Sequence, residues 1–129
     1  MEPVSYRLTL LASPMALCRL APDAAIPSWV EHASLVSITR TSDELSIICD
    51  AHLVPQGVTT EDGWRAFKMS GPLEFTMVGV LAAILNPLAD AKVSILAIST
   101  YDTDYVLVTE PDLPAALAAL RQAGHQVTT

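Results

Sequence analysis

Val93-Ser94-Ile95-Leu96-Ala97-Ile98-Ser99-Thr100-Tyr101-Asp102-Thr103-Asp104-Tyr105-Val106-Leu107-Val108-Thr109 is the stretch whose reading decides the fold. Two apolar runs enclose a knot of hydroxyls, aromatic rings and two carboxylates. The runs predict two strands, Val93 to Thr100 and Asp104 to Thr109, joined by a tight polar connection. Apolar residues fall on both faces of each strand, so cover is expected on both sides. Asp and Thr are good turn residues, and the knot reads first as a β-turn. Strand ends are also where folds display chemistry, so a binding site is the alternative reading.

Working outward, Trp64-Arg65-Ala66-Phe67-Lys68-Met69 alternates with period two and predicts a half-buried strand that Gly71-Pro72 ends. Leu81, Ile84, Leu85 and Leu88 then recur at i, i+3, i+4 and i+7, one face of a helix. Pro87 conflicts with that helix, because it lacks the N–H that would close one backbone bond. Downstream, Thr109-Glu110-Pro111-Asp112 supplies a cap candidate, a first-turn proline and acids at the positive end of a second helix. Its stripe is Leu113, Ala116, Leu117 and Leu120, and Gly124 terminates it. His125-Gln126-Val127 predicts a last short strand. The order is β-α-β-β-α-β, the ferredoxin-like arrangement.

The first half carries weaker signals. Tyr6 to Leu10 and Leu17 to Leu20 predict short strands. Pro22 and Pro27 leave room for one helical turn at Ser28 to His32. Leu35 to Thr39 and Leu45 to Cys49 predict a hairpin around Thr41-Ser42-Asp43-Glu44, followed by a helical turn at Asp50 to Val54. Residues 56–63 read as the connection to the second half. The expected organisation is therefore a half at 1–63 and a second at 64–129.

With 129 residues, 51% of them hydrophobic, the chain is long enough to fold and too apolar to be disordered. Its net charge of −7, with scattered basic residues, argues against a nucleic-acid surface. No apolar run approaches the roughly 20 residues that span a bilayer, and Met1-Glu2-Pro3 does not open a secretory signal. No membrane association is expected. Cys18 and Cys49 read as reduced thiols of a cytoplasmic protein. His32, His52 and His125 lie far apart without metal-ligand spacing, so no metal and no cofactor are expected. Neither cysteine nor any serine sits in a nucleophile context, and no glycine-rich phosphate loop is present, so no catalytic residues are expected.

Three segments, 64–73, Thr76-Met77-Val78-Gly79-Val80-Leu81 and 97–105, resemble the ACT domain, a small-molecule-sensing module of amino-acid metabolism. Cys18-Arg19-Leu20, Pro27-Ser28-Trp29 and Ser37-Ile38-Thr39-Arg40-Thr41 extend the likeness into the first half. Together they resemble the small bacterial subgroup that pairs two ACT-like halves, the aspartate-kinase-like regulatory proteins, and are similar to the ACT domains of the animal cytosolic arginine sensor. The resemblance implies an α+β fold of two ferredoxin-like halves, an ACT-like half at 1–63 that is degenerate and an ACT domain at 64–129. Antiparallel sheets with helices on one face follow from it.

The resemblance also implies a regulatory module without catalysis that binds a free amino acid. The implied ligand positions are Glu74, Met77, Val78, Gly79, Val80, Ser99, Thr100, Tyr101, Asp102 and Asp104. A homodimer is expected, with the output delivered through an effector protein; the alternative is a ligand-free interaction module. Gly79 lets backbone approach a ligand, or merely lets helix pack closely on sheet. Helix-start amides suit a carboxylate, and Asp102 or Asp104 a cation. Two departures stand out. Lys92 occupies the place of the family's glycine after the first long helix, and the first half has no equivalent of the Ser-Thr-Tyr run, so no second site is expected there.

Overall fold

The computed structural model describes residues 5–70 and 79–129. In chain order the elements are β1 (Arg7–Leu10), β2 (Met15–Leu20), β3 (Val36–Arg40), β4 (Leu45–Asp50), β5 (Thr59–Met69), α1 (Val80–Asp90), β6 (Leu96–Ser99), β7 (Asp104–Thr109), α2 (Leu113–Gln122) and β8 (Gln126–Thr128). Single 3₁₀ turns stand at Ser28–Val30, Ala51–Leu53 and Glu110–Asp112. The chain forms two compact units, Ser13–Trp64 and Arg65–Thr129 with Met1–Ala12.

In the unit Ser13–Trp64, the strands lie in the order β3-β4-β2-β5, every neighbouring pair antiparallel. That is the ferredoxin-like order, with each helix reduced to one 3₁₀ turn. Prolines at 22 and 27 in the first connection, and the eight-residue length of the second, 51–58, account for the reduction. The core lies on one face of this sheet, where Ala16, Cys18, Leu45, Ile47 and Cys49 meet Val30. Strand β5 begins at Thr59, five residues before the strand expected from alternation, because residues 59–62 are all exposed and carry no apolar rhythm. Met15 pairs with Trp64 but Leu17 with Glu61, so Asp62 and Gly63 together oppose Ala16. Gly63 has φ 79°, the left-handed conformation that a bulge of this kind requires.

The other unit contains β5 from residue 65, α1, β6, β7, α2 and β8, the expected β-α-β-β-α-β order. One feature differs from expectation. Strand β1, expected to open the first half, lies here between β5 and β8, antiparallel to the first and parallel to the second. Short strands show apolar pattern but not pairing partner, so sequence alone could not place it. Both helices cover one face of the sheet. Val80, Ile84 and Leu88 of α1 and Ala116 and Leu120 of α2 pack with Leu8, Phe67, Met69, Val106 and Val108. Val106, Leu107 and Val108 are all fully buried within the single chain. The two-sided apolar pattern of β7 is thus satisfied without a second copy.

Both helix ends are closed by the same device. After α1, the Lys92 N–H donates to the Ala89 carbonyl and the Val93 N–H to the Leu88 carbonyl, each at 2.9 Å. After α2, Gly124 donates to Arg121 and His125 to Leu120. These are Schellman closures, which need a left-handed residue between. Gly124 supplies it at φ 94°, and Lys92 supplies it at φ 61°, as the sequence departure implied. Val93, expected to begin a strand, is consumed by this closure, and β6 starts only at Leu96.

Candidate functional site

The hairpin β6–β7 is in register from Leu96↔Leu107 to Ser99↔Asp104. At its tip the Thr100 N–H donates to the Thr103 carbonyl at 2.8 Å. The Thr100 hydroxyl donates to the same carbonyl at 3.0 Å and accepts from the Thr103 N–H at 3.2 Å. The turn therefore satisfies its own backbone, as a Thr-containing turn can. Tyr101 and Asp102 stand exposed at the apex, Tyr101 with 81% of its surface accessible. Asp104 is half-buried, and its carboxylate accepts a hydrogen bond from the Ser99 hydroxyl at 2.6 Å.

Thr103 anchors this turn to the body of the unit. It is buried, and its hydroxyl donates to the Met69 carbonyl at 2.8 Å. Met69 is the last residue of β5, so the hairpin tip is held where the chain leaves that strand toward α1. Thr103 is the anchoring position that sequence reasoning did not single out. Its only sequence signal is a β-branched hydroxyl between two acids, which does not distinguish an anchor from a solvated turn residue.

Gly79 precedes α1 with φ 77° and ψ 8°, and its carbonyl accepts from the Ala83 N–H at 3.0 Å. Among the described residues, a Cβ at Gly79 would meet nothing within 4 Å. The positive φ by itself calls for glycine here. Val80 is buried in the core, while the N–H groups of the first turn of α1 point past Gly79 as an anion-compatible end. Among the described residues, no hydrogen bond joins Gly79 or Val80 to the turn 99–104. Of the expected site, Ser99, Thr100, Tyr101, Asp102 and Asp104 are brought together in one hairpin tip, and Gly79 and Val80 lie at the start of α1. Glu74, Met77 and Val78 lie outside the described residues.

Three groups elsewhere titrate away from their ordinary values. Burial alone would raise Asp50, but hydrogen bonds from the Ser34 and Ser13 hydroxyls and the Leu35 and Ser34 N–H groups outweigh it and hold the carboxyl below its usual range. Ser34 donates from its N–H at 2.8 Å and from its hydroxyl at 2.6 Å. Burial, with Cys18 and Asp50 nearby, pushes Cys49 up to about 11. Burial also raises Cys18. Neither thiol is poised as a thiolate nucleophile. His125 is buried with both ring nitrogens engaged: Nδ1 accepts from the Tyr6 N–H at 3.1 Å, and Nε2 lies 3.0 Å from the Ala83 carbonyl. Among the described residues, no three potential metal ligands converge, and no helix is long and apolar enough to cross a membrane.

The ACT domain family model matches residues 59–122, and a second model, for an N-terminal domain, matches residues 14–57. A crystal structure of an Agrobacterium tumefaciens protein superposes with a TM-score of 0.91 at 37% identity, covering 96% of this chain and 92% of that one. The chain is 37% identical over 111 residues to the cytosolic arginine sensor for mTORC1 subunit 1 of Homo sapiens, which aligns with 78% of this chain. It spans 34% of that sensor's length. The regulatory subunit of aspartate kinase from Thermus thermophilus shares the fold, with a TM-score of 0.62 at 11% identity and 94% of each chain covered. With ferredoxin-like strand order in the Ser13–Trp64 unit, the β-α-β-β-α-β succession in the other, and these matches along most of its length, the chain belongs to the ACT domain family.

Proposed function

We propose that this protein is a non-catalytic regulatory module that binds a free amino acid at the β6–β7 hairpin tip and the start of α1. The observation that carries this reading is the Thr103–Met69 bond, which holds Ser99 to Asp104 at the end of β5 from which the chain leaves for α1. Asp104 and Asp102 offer carboxylates to a ligand ammonium, and helix-start amides at Gly79 and Val80 suit its carboxylate. Glu74, Met77 and Val78 belong to the same proposed site. The arginine sensor, by its name, reads an amino acid in the cytosol, which supports a cytoplasmic sensor here. A homodimer and an effector protein complete the proposal.

The decisive experiment is a thermal-shift panel of the twenty amino acids. A ligand at 100 times its Kd stabilises by about 2.7 kcal/mol. That corresponds to a rise of several degrees in Tm for a chain of this size. The stabilising amino acid should lose its effect in Asp104→Ala. Absence of any shift at millimolar ligand rejects the sensor reading, and an unchanged shift in Asp104→Ala rejects the site.

A second reading, a ligand-free interaction module, is favoured by one observation. The carboxylate of Asp104 is already bonded to Ser99, and the turn closes upon itself. The same panel separates the two.

A further inference from the structure

We propose that the sheet face opposite the core of the Ser13–Trp64 unit holds a second small-molecule site, a cleft for a basic amino acid. The cleft has a volume of about 280 Å³. That lies just below the ~300–1,000 Å³ typical of ligand pockets and suits an amino acid better than a nucleotide. Its geometry follows from register. Ser46, Arg19 and Thr59 form one row across β4, β2 and β5, and Leu17 with Glu61 forms part of the next. Glu44 projects on the same side as Ser46, two residues ahead of it. The core residues Leu45 and Ile47 alternate to the opposite face.

The charges on this face are not paired with one another. Arg19 lies between Glu61 and Glu44, yet its guanidinium donates to the Asp43 carbonyl at 3.1 Å. Among the described residues the one ion pair is Arg65 with Glu110, in the other unit. Among the described residues, nothing donates a hydrogen bond to the carboxylates of Glu44 and Glu61 or to the hydroxyls of Ser46 and Thr59. Two carboxylates, one guanidinium and the apolar side chain of Leu17 line one cleft. The complementary ligand carries two cationic groups, one carboxylate and a short apolar stem. A basic amino acid has that composition, with its two cations set against Glu44 and Glu61 and its carboxylate against Arg19. The methylenes would cover Leu17.

The test is a titration of the isotopically labelled full chain with L-lysine, followed by amide NMR shifts. The site predicts saturable shifts at Ser46 and Thr59. Affinity should fall about tenfold in Glu44→Gln and again in Glu61→Gln, the loss expected for one charge-assisted hydrogen bond. Norleucine, which lacks the side-chain ammonium, should bind at least tenfold more weakly than L-lysine. Asp104→Ala should leave these shifts unchanged, which separates this cleft from the hairpin site. Shifts confined to 99–104 overturn the cleft and leave the hairpin proposal intact. Affinity unchanged from the parent in both Glu→Gln variants, or no shift at Ser46 and Thr59 with L-lysine at about 10 mM, overturns it as well.

Discussion

Lys92 and Gly124 stand at the same position of two identical helix closures, and only one of them is a glycine. An L-residue in the left-handed region costs about 1–2 kcal/mol, offset in part by the greater freedom of glycine in the unfolded chain. Lys92→Gly is expected to stabilise the protein by about 1 kcal/mol, seen as a higher urea midpoint with unchanged slope. An unchanged or lower midpoint would show that the lysine is held there by something other than the closure. The resemblance to ACT domains pointed to this position, because the family's glycine there is replaced by Lys92, leaving either a different helix exit or local strain. The role of Asp50 was not legible. Its carboxylate accepts from Ser34 and Leu35, sixteen and fifteen residues earlier in the chain. Its folded pKa lies below the unfolded value, so its contribution is complete above about pH 4 and is lost as pH falls through the lower, folded value. Urea midpoints measured from pH 6 down to about pH 2 should therefore fall less steeply in Asp50→Asn than in the parent.

At the scale of elements, α1 contains its own defect and the fold repairs it. Pro87 has no N–H for the Ala83 carbonyl, one turn earlier, and His125 Nε2 reaches that carbonyl from beyond the end of α2. Tyr6 fixes the tautomer by donating to Nδ1, and its ring stacks on the imidazole with centroids 5.8 Å apart. A buried carbonyl left unpaired costs about 1–3 kcal/mol, so His125→Phe should destabilise by that order. In Pro87→Ala the backbone can supply the missing donor. The double variant should then be less destabilised by His125→Phe than the parent is, a coupling that a double-mutant cycle in urea would measure. Simple additivity would refute the repair. The conflict at Pro87 was visible in the sequence. Its solution was invisible, because a single histidine 38 positions on has no periodic relation to a helix.

The same contrast holds for β5 and the hairpin. Alternation from Trp64 to Met69 marked the buried part of the strand, whereas the charged, exposed opening at 59–62 needed the partner β2 to become a strand. The turn 99–104 was legible as a turn from its residues. Its anchorage through Thr103 was not, since the acceptor is a backbone carbonyl 34 residues away.

At the scale of the whole molecule, the chain interleaves its units. β1 precedes the Ser13–Trp64 unit in sequence but completes the sheet of the other, between β5 and β8. Removing residues 1–12 should strip β8 of its sheet partner and take Leu8 out of the core. The truncated chain is expected to lose cooperative unfolding of the 65–129 unit, followed by thermal circular dichroism and by hydrogen exchange at residues 126–128. Retention of full protection at β8 would contradict this role for β1. The buried thiols supply a second check. Native protein at pH 8 should resist alkylation at Cys18 and Cys49 until it unfolds, because the raised pKa values leave little thiolate and burial denies access.

The order of strands and helices in the second half, the turn between β6 and β7, the strain at Lys92 and the resemblance to ACT domains were all determined by local sequence. Each rests on periodicity, turn chemistry or motif, which act over a few residues. The place of β1, the bulge at Gly63, the rescue of Pro87 by His125, the anchoring of Thr103 and the unpaired charges around Arg19 were decided only by tertiary structure. They depend on which strands lie side by side, and pairing is set by the competition of whole faces for burial rather than by any one segment's pattern.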